Sequence, residues 1–138
     1  MSAALALESL PEHFGDLPAS LPDLRLLVLF GSAVKGRAGS RSDLDVAVLC
    51  DGPADLDALY LTLAPRLRTA RLDIVDLRLA GPILAFEVAR SGLLLFEKSA
   101  GLFRQFQSLA SRRYADTKKL REAQRRAIQV FLQREGLA

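Results

Sequence analysis

Gly31-Ser32, ten residues, and then Asp43-Leu44-Asp45 is the stretch on which the reading of this chain turns. It joins a turn suited to holding phosphate to a pair of carboxylates suited to holding a cation. The lead-in, Leu24–Phe30, apolar but for Arg25, is short enough to be a buried strand, and Gly31 breaks it. A glycine at that turn lets backbone N–H groups approach a phosphate, while Ser32 caps a short helix whose first turn adds donors and partial positive charge. Leu44–Cys50 reads as a second strand. Asp43 and Asp45, two residues apart, therefore point to one face. Adjacent carboxylates repel unless a cation joins them. Hard oxygen ligands that share a coordination shell with phosphate suit Mg²⁺ better than a closed zinc site.

Working outward, the order reads as helix (about Ala3–Phe14), a Gly15–Pro22 loop, strand, short helix, strand, helix, strand (Arg71–Leu77), helix (Pro82–Arg90), short strand (Gly92–Phe96) and a long helix. Asp51-Gly52-Pro53 marks a turn and helix start; Leu56, Leu59, Leu63 and Leu67 follow at helical spacing, and Pro65 should end or kink that helix. Strand one delivers Ser32 at its C-terminal end, and strand two delivers the aspartates at its N-terminal end. The two meet only if these strands are antiparallel. A helical crossover from strand two favours a parallel strand three, which brings Asp73 to the edge of Asp43 and leaves Asp76 roughly 10 Å further on and facing the other way. The expected fold is α/β, a small mixed sheet flanked by helices.

The segment Gly31-Ser32-Ala33-Val34-Lys35-Gly36, continuing to Ser42-Asp43-Leu44-Asp45-Val46, resembles the signature of the minimal nucleotidyltransferases of the DNA polymerase β-like superfamily. The likeness covers about residues 20–97 as the core, with a helical segment at about 99–135, in a single domain over residues 1–138. Lys35 stands where the family commonly has arginine, keeping the charge but losing the bidentate fork. The resemblance implies a third carboxylate on strand three, where Asp73 stands. It also implies Mg²⁺, two ions held by Asp43, Asp45 and Asp73, and ATP as nucleotide donor. Gly31, Ser32, Lys35 and Arg41 are the candidate triphosphate contacts, with Arg37 also available to neutralise charge. His13, the lone histidine, lies outside this constellation and is not taken as a general base.

Larger superfamily members carry extra domains to grip the acceptor. A free-standing chain of this size resembles the antitoxin half of a toxin–antitoxin pair whose partner is a helical HEPN-type ribonuclease. The implied reaction is transfer of AMP from ATP to a hydroxyl of that toxin, tyrosine being the expected acceptor, within a hetero-oligomer. Alternatives are a small-molecule acceptor such as an aminoglycoside, or an antitoxin that neutralises by binding alone. A haloacid-dehalogenase-type phosphatase also uses Asp-x-Asp, but needs an apolar strand ending at the first aspartate; here Gly39-Ser40-Arg41-Ser42 precedes it.

Composition fits this reading. One cysteine, Cys50, excludes an internal disulfide framework and reads as a buried thiol. The N-terminus lacks the basic region of a signal peptide, and no apolar run approaches the ~20 residues needed to span a membrane, so the cytoplasm is the expected compartment. The net charge of +3 hides an asymmetry: residues 102–138 carry nine Lys/Arg against three acids, and residues 1–101 carry ten against thirteen. Ala115–Leu132 places Leu120, Ala123, Ala127, Ile128 and Phe131 at helical spacing among five cations. That stripe can pack on its own domain or meet a partner protein. With only Tyr114 and Phe131 interleaving the cations, the pattern weighs against direct nucleic-acid binding.

Overall fold

A computed structural model describes residues 14–34 and 43–137. Four strands form one sheet: β1 (Leu24–Phe30), β2 (Leu44–Cys50), β3 (Leu72–Asp76) and β4 (Leu93–Glu97). Their order is β3-β2-β1-β4. β1 is antiparallel to both β2 and β4, whereas β2 and β3 are parallel. The mixed sheet required by the sequence is therefore present. β1 and β2 have the expected limits. β3 is one residue shorter at each end, although Leu44 N–H to Arg71 C=O (2.9 Å) and Leu77 N–H to Val48 C=O (2.8 Å) continue its ladder.

The position of β1 in the interior of the sheet explains a sequence that is apolar at every residue but Arg25, because both of its faces are covered. On one face Leu27, Leu29, Val46, Val48 and Leu72 pack with Leu59 and Leu63 of α2 (Leu56–Leu67). On the other, Val28, Phe30, Ala47 and Leu77 pack with Val88 of α3 (Pro82–Ser91), and Phe103 and Phe106 of α4 (Leu102–Asp116) close over them. Ala85, Ala89 and Ala110 allow α3 and α4 to approach closely. Cys50 is a buried free thiol, as its place in the strand suggested.

Local signals depart from the sequence reading in four places. Leu17–Ser20 forms one helical turn, α1, inside the stretch read as a loop; Pro18 lies in its first turn and Leu17 is fully buried. α2 starts at Leu56 rather than at Pro53, because the Asp55 side chain accepts from Ala58 N–H (3.1 Å) and caps it. It also runs through Pro65 for two residues before Arg68 adopts a left-handed conformation. The C-terminal segment is bent: α4 gives way at Thr117 to α5 (Lys118–Arg134). There the Thr117 hydroxyl and its own N–H both donate to Tyr114 C=O, at 2.7 and 3.1 Å, which tightens the chain out of the regular helical ladder. The remaining expected helix, at about Ala3–Phe14, lies outside the described residues except for Phe14.

Candidate active site

The edge of the sheet where β1 ends and β2 and β3 begin gathers the candidate groups. Asp45 is the register partner of Phe30 on β1 and of Asp73 on β3. Paired residues on parallel strands point to the same face, so the Asp45 and Asp73 carboxylates stand side by side. Asp43, just before β2, shares that face. Asp45 is half-buried and the other two are exposed. The Asp45 carboxyl is pushed above its ordinary range, first by burial and then by the negative charges of Asp73 and Asp43.

Asp76 stands apart. It pairs with Val48 at the far end of the ladder, and its carboxylate accepts from Arg78 N–H (2.9 Å) and Ala54 N–H (3.3 Å). Its oxygens hold the turn after β3 and the segment before α2.

Gly31 does more than open space for a ligand. It has φ +83°, and a Cβ built there would lie 2.6 Å from Oδ2 of Asp45. The turn and the acidic strand are therefore packed against one another, and the carboxylate occupies the room that a side chain at position 31 would need. Gly31–Ala33 forms a 3-10 turn in which Ser32 is exposed. The turn follows directly on the end of β1, beside the start of β2.

Arg71 is a residue the sequence reading passed over. Its Nη1 lies 4.0 Å from Oδ1 of Asp43, with both side chains more than half exposed. The signal was available: Arg71 precedes Asp73 by two, the spacing that also relates Asp43 to Asp45. Lys35, Arg37, Arg41 and His13 lie outside the described residues.

A divalent cation fits this edge for a physical reason. Two carboxylates in register, with a third beside them, raise the cost of ionising Asp45, and a cation between them would remove that cost. Among the described residues no three acidic, histidine or cysteine side chains close into a metal cage. The open edge suits Mg²⁺, which keeps several waters and shares its shell with phosphate oxygens.

A glycine-serine turn packed on an acidic strand, with a third acid in register on the neighbouring parallel strand, is the arrangement that the resemblance to nucleotidyltransferases leads one to expect. The sequence matches the family described as Polymerase beta, Nucleotidyltransferase, over residues 16–101. The chain belongs to that family and is an enzyme of that class. It is similar, at 31% identity over 135 residues, to the protein adenylyltransferase MntA of Aphanizomenon flos-aquae, with 88% of this chain and 89% of that protein covered. Among solved structures it is similar to a chain in the crystal structure of a toxin–antitoxin with AMP-PNP, with TM-score 0.70, 27% identity, and 91% of this chain and 99% of that one covered. It is also similar to a chain in the structure of a tri-AMPylated Shewanella oneidensis HEPN toxin in complex with MNT antitoxin, with TM-score 0.60, 26% identity, and 93% and 99% covered. Among the described residues no helix is long and apolar enough to cross a membrane.

Proposed function

We propose that this chain is an antitoxin that transfers AMP from ATP to a hydroxyl, expected to be a tyrosine, on a HEPN-type ribonuclease toxin and so blocks its RNA cleavage. The observation that carries the reading is the register of Asp45 with Asp73 beside the Gly31 turn. The adenylyltransferase relative and the toxin–antitoxin neighbours support the acceptor and partner. In the reaction the acceptor oxygen attacks the α-phosphorus of ATP, the bond to the β-phosphate oxygen breaks, and pyrophosphate leaves with the pair of electrons. The hydroxyl proton passes to water as the new phosphorus–oxygen bond forms.

Asp43, Asp45 and Asp73 would hold Mg²⁺, which when bound lowers the pKa of an attacking hydroxyl and neutralises charge on the phosphates. The protein's own groups supply position. Ser32 and the amides after Gly31 grip the β- and γ-phosphates, and fixing the triphosphate there presents the α-phosphorus for in-line attack. Lys35, Arg37 and Arg41 are proposed to neutralise charge on the leaving pyrophosphate.

The test uses purified chain, ATP labelled in its α-phosphate, Mg²⁺, and a purified HEPN-type ribonuclease as the partner. Label should appear covalently on the partner, on tyrosine, and require Mg²⁺. Label transferred to a small hydroxyl compound but never to the partner would replace the acceptor assignment, and neutralisation of the partner without transfer would replace the catalytic one.

A further inference from the structure

α5 is a helix of 17 residues with no buried residue. Helices in proteins draw most of their stability from packing an apolar face. Yet α5 carries such a face uncovered: Leu120 is 61% exposed, Val130 48% and Phe131 58%. The three positions partly shielded are Arg121, Glu122 and Leu132. By the 3.6-residue turn, Leu120, Ala127, Val130 and Phe131 lie on the opposite side of the helix from these. The stripe faces away from its own domain.

That direction is held. Tyr114 stacks on Phe86 of α3 with ring centres 4.1 Å apart, and the Arg121 guanidinium lies 4.1 Å above the Tyr114 ring. Arg121 Nε also donates to Thr117 Oγ1 at 2.8 Å. The bend at Thr117 and this stacked clamp aim α5 outward instead of leaving it to fold back.

We infer that the outward face of α5 is the surface on which the toxin subunit docks, received by an apolar groove bordered by carboxylates. This rests on the proposed antitoxin function. Charge selects the occupant: α5 carries six Lys/Arg and one acid, Glu122. Two copies of α5 would repel one another, and α5 against the acidic body of a second copy would be a head-to-tail contact that propagates unless it closes a ring. An acid-rimmed groove on a different protein meets both stripe and flanks. The helix is about 25 Å long, enough to present several anchors to a helical partner. The solved chains matching 91% and 93% of this one are described as toxin–antitoxin assemblies.

The experiment titrates the full chain against the toxin at low and high salt, using wild type, Leu120→Ser with Phe131→Ser, and Lys119→Glu with Arg126→Glu, the two cations that border the stripe, with binding of a non-hydrolysable ATP analogue as the control. The apolar pair should weaken toxin binding by about 30-fold or more, as loss of buried anchors does. The charge pair should weaken it mainly at low salt through slower association. Nucleotide binding should not change in either. Unchanged toxin affinity in both variants overturns the docking surface, and so does loss of nucleotide binding in both, which would place α5 in the core. Self-association of the wild type that the apolar pair abolishes assigns the face to a second copy, and RNA binding lost only in the charge pair assigns it to RNA; either overturns the inference. If wild type itself does not bind the toxin, the antitoxin reading fails and the docking surface falls with it; wild-type binding with indifferent variants fails the surface alone.

Discussion

Replacing Gly31 by alanine probes the packing of the turn on the acids with a single methyl group. Two costs add. At φ +83° an L-residue is strained by roughly 1–2 kcal/mol, and the new Cβ would stand 2.6 Å from Asp45 Oδ2. Atoms in contact sit at ~3.5 Å or more, so the carboxylate or the turn has to move by about 1 Å. Against a total stability of about 5–15 kcal/mol the protein stays folded. The candidate catalytic geometry does not survive so well: a displacement of about 1 Å is worth about 100-fold in rate. Gly101→Ala is the matched control, since Gly101 has φ +93° but open space where its Cβ would go. Both variants should lose stability in a thermal melt through the backbone strain they share, Gly31→Ala more because of the added contact, and only Gly31→Ala should lose about 100-fold in AMP transfer. Wild-type transfer by Gly31→Ala would refute the close contact between turn and carboxylate. Equal losses of transfer in the two would attribute the effect to backbone strain in general.

The third acid is separable by two substitutions. Asp73→Asn should cut transfer about 100-fold with little change in melting temperature, while Asp76→Ala should retain transfer and cost about 1–2 kcal/mol in denaturant unfolding, because Arg78 and Ala54 N–H lose their acceptor. Arg71→Ala should change stability by under about 1 kcal/mol, as exposed pairs do, yet lower the Mg²⁺ concentration for half-maximal transfer, since a competing cation beside Asp43 is removed; an unchanged Mg²⁺ titration would count against its role. Asp16 accepts two hydrogen bonds from Arg66, at 2.6 and 3.1 Å, and its carboxyl is lowered first by that bonding. A lowered folded-state value gives stability present above the unfolded value of about 3.9 and lost as pH falls through the folded one. Asp16→Asn should therefore melt slightly lower than wild type at pH 7, with the gap closing as the pH drops below about 4.

Much of the fold was legible because strong local signals and topology agreed. Leu24–Phe30 is apolar except at Arg25 since β1 is covered on both faces, and Gly31 ends it where a positive φ is needed. The choice of Asp73 over Asp76 came from strand direction, side-chain alternation and the family resemblance, and the register of Asp45 with Asp73 agrees with the strand direction. What could not be read was tertiary or depended on a single hydroxyl. Thr117 is no helix breaker by composition, and only its bond to Tyr114 C=O shows the bend. Gly31 looked like a residue kept small for phosphate, whereas its Cβ space is filled by Asp45. The stripe on α5 could be found by periodicity, but whether its own domain covers it depends on the clamp of Phe86, Tyr114 and Arg121, residues far apart in sequence. Arg71 was overlooked because a lone arginine beside a strand is usually solvated.

The central claim is that the paired acids of β2 carry nucleotidyl transfer to the partner, and it is tested most directly by comparing wild type with Asp43→Asn and Asp45→Asn in transfer of label from α-labelled ATP to the purified toxin. Both variants should bind the toxin and melt as cooperatively as wild type, while transfer falls about 100-fold or more, beyond the 10–100-fold usual for groups that only orient a metal ligand. Transfer at the wild-type rate in both variants would contradict the account.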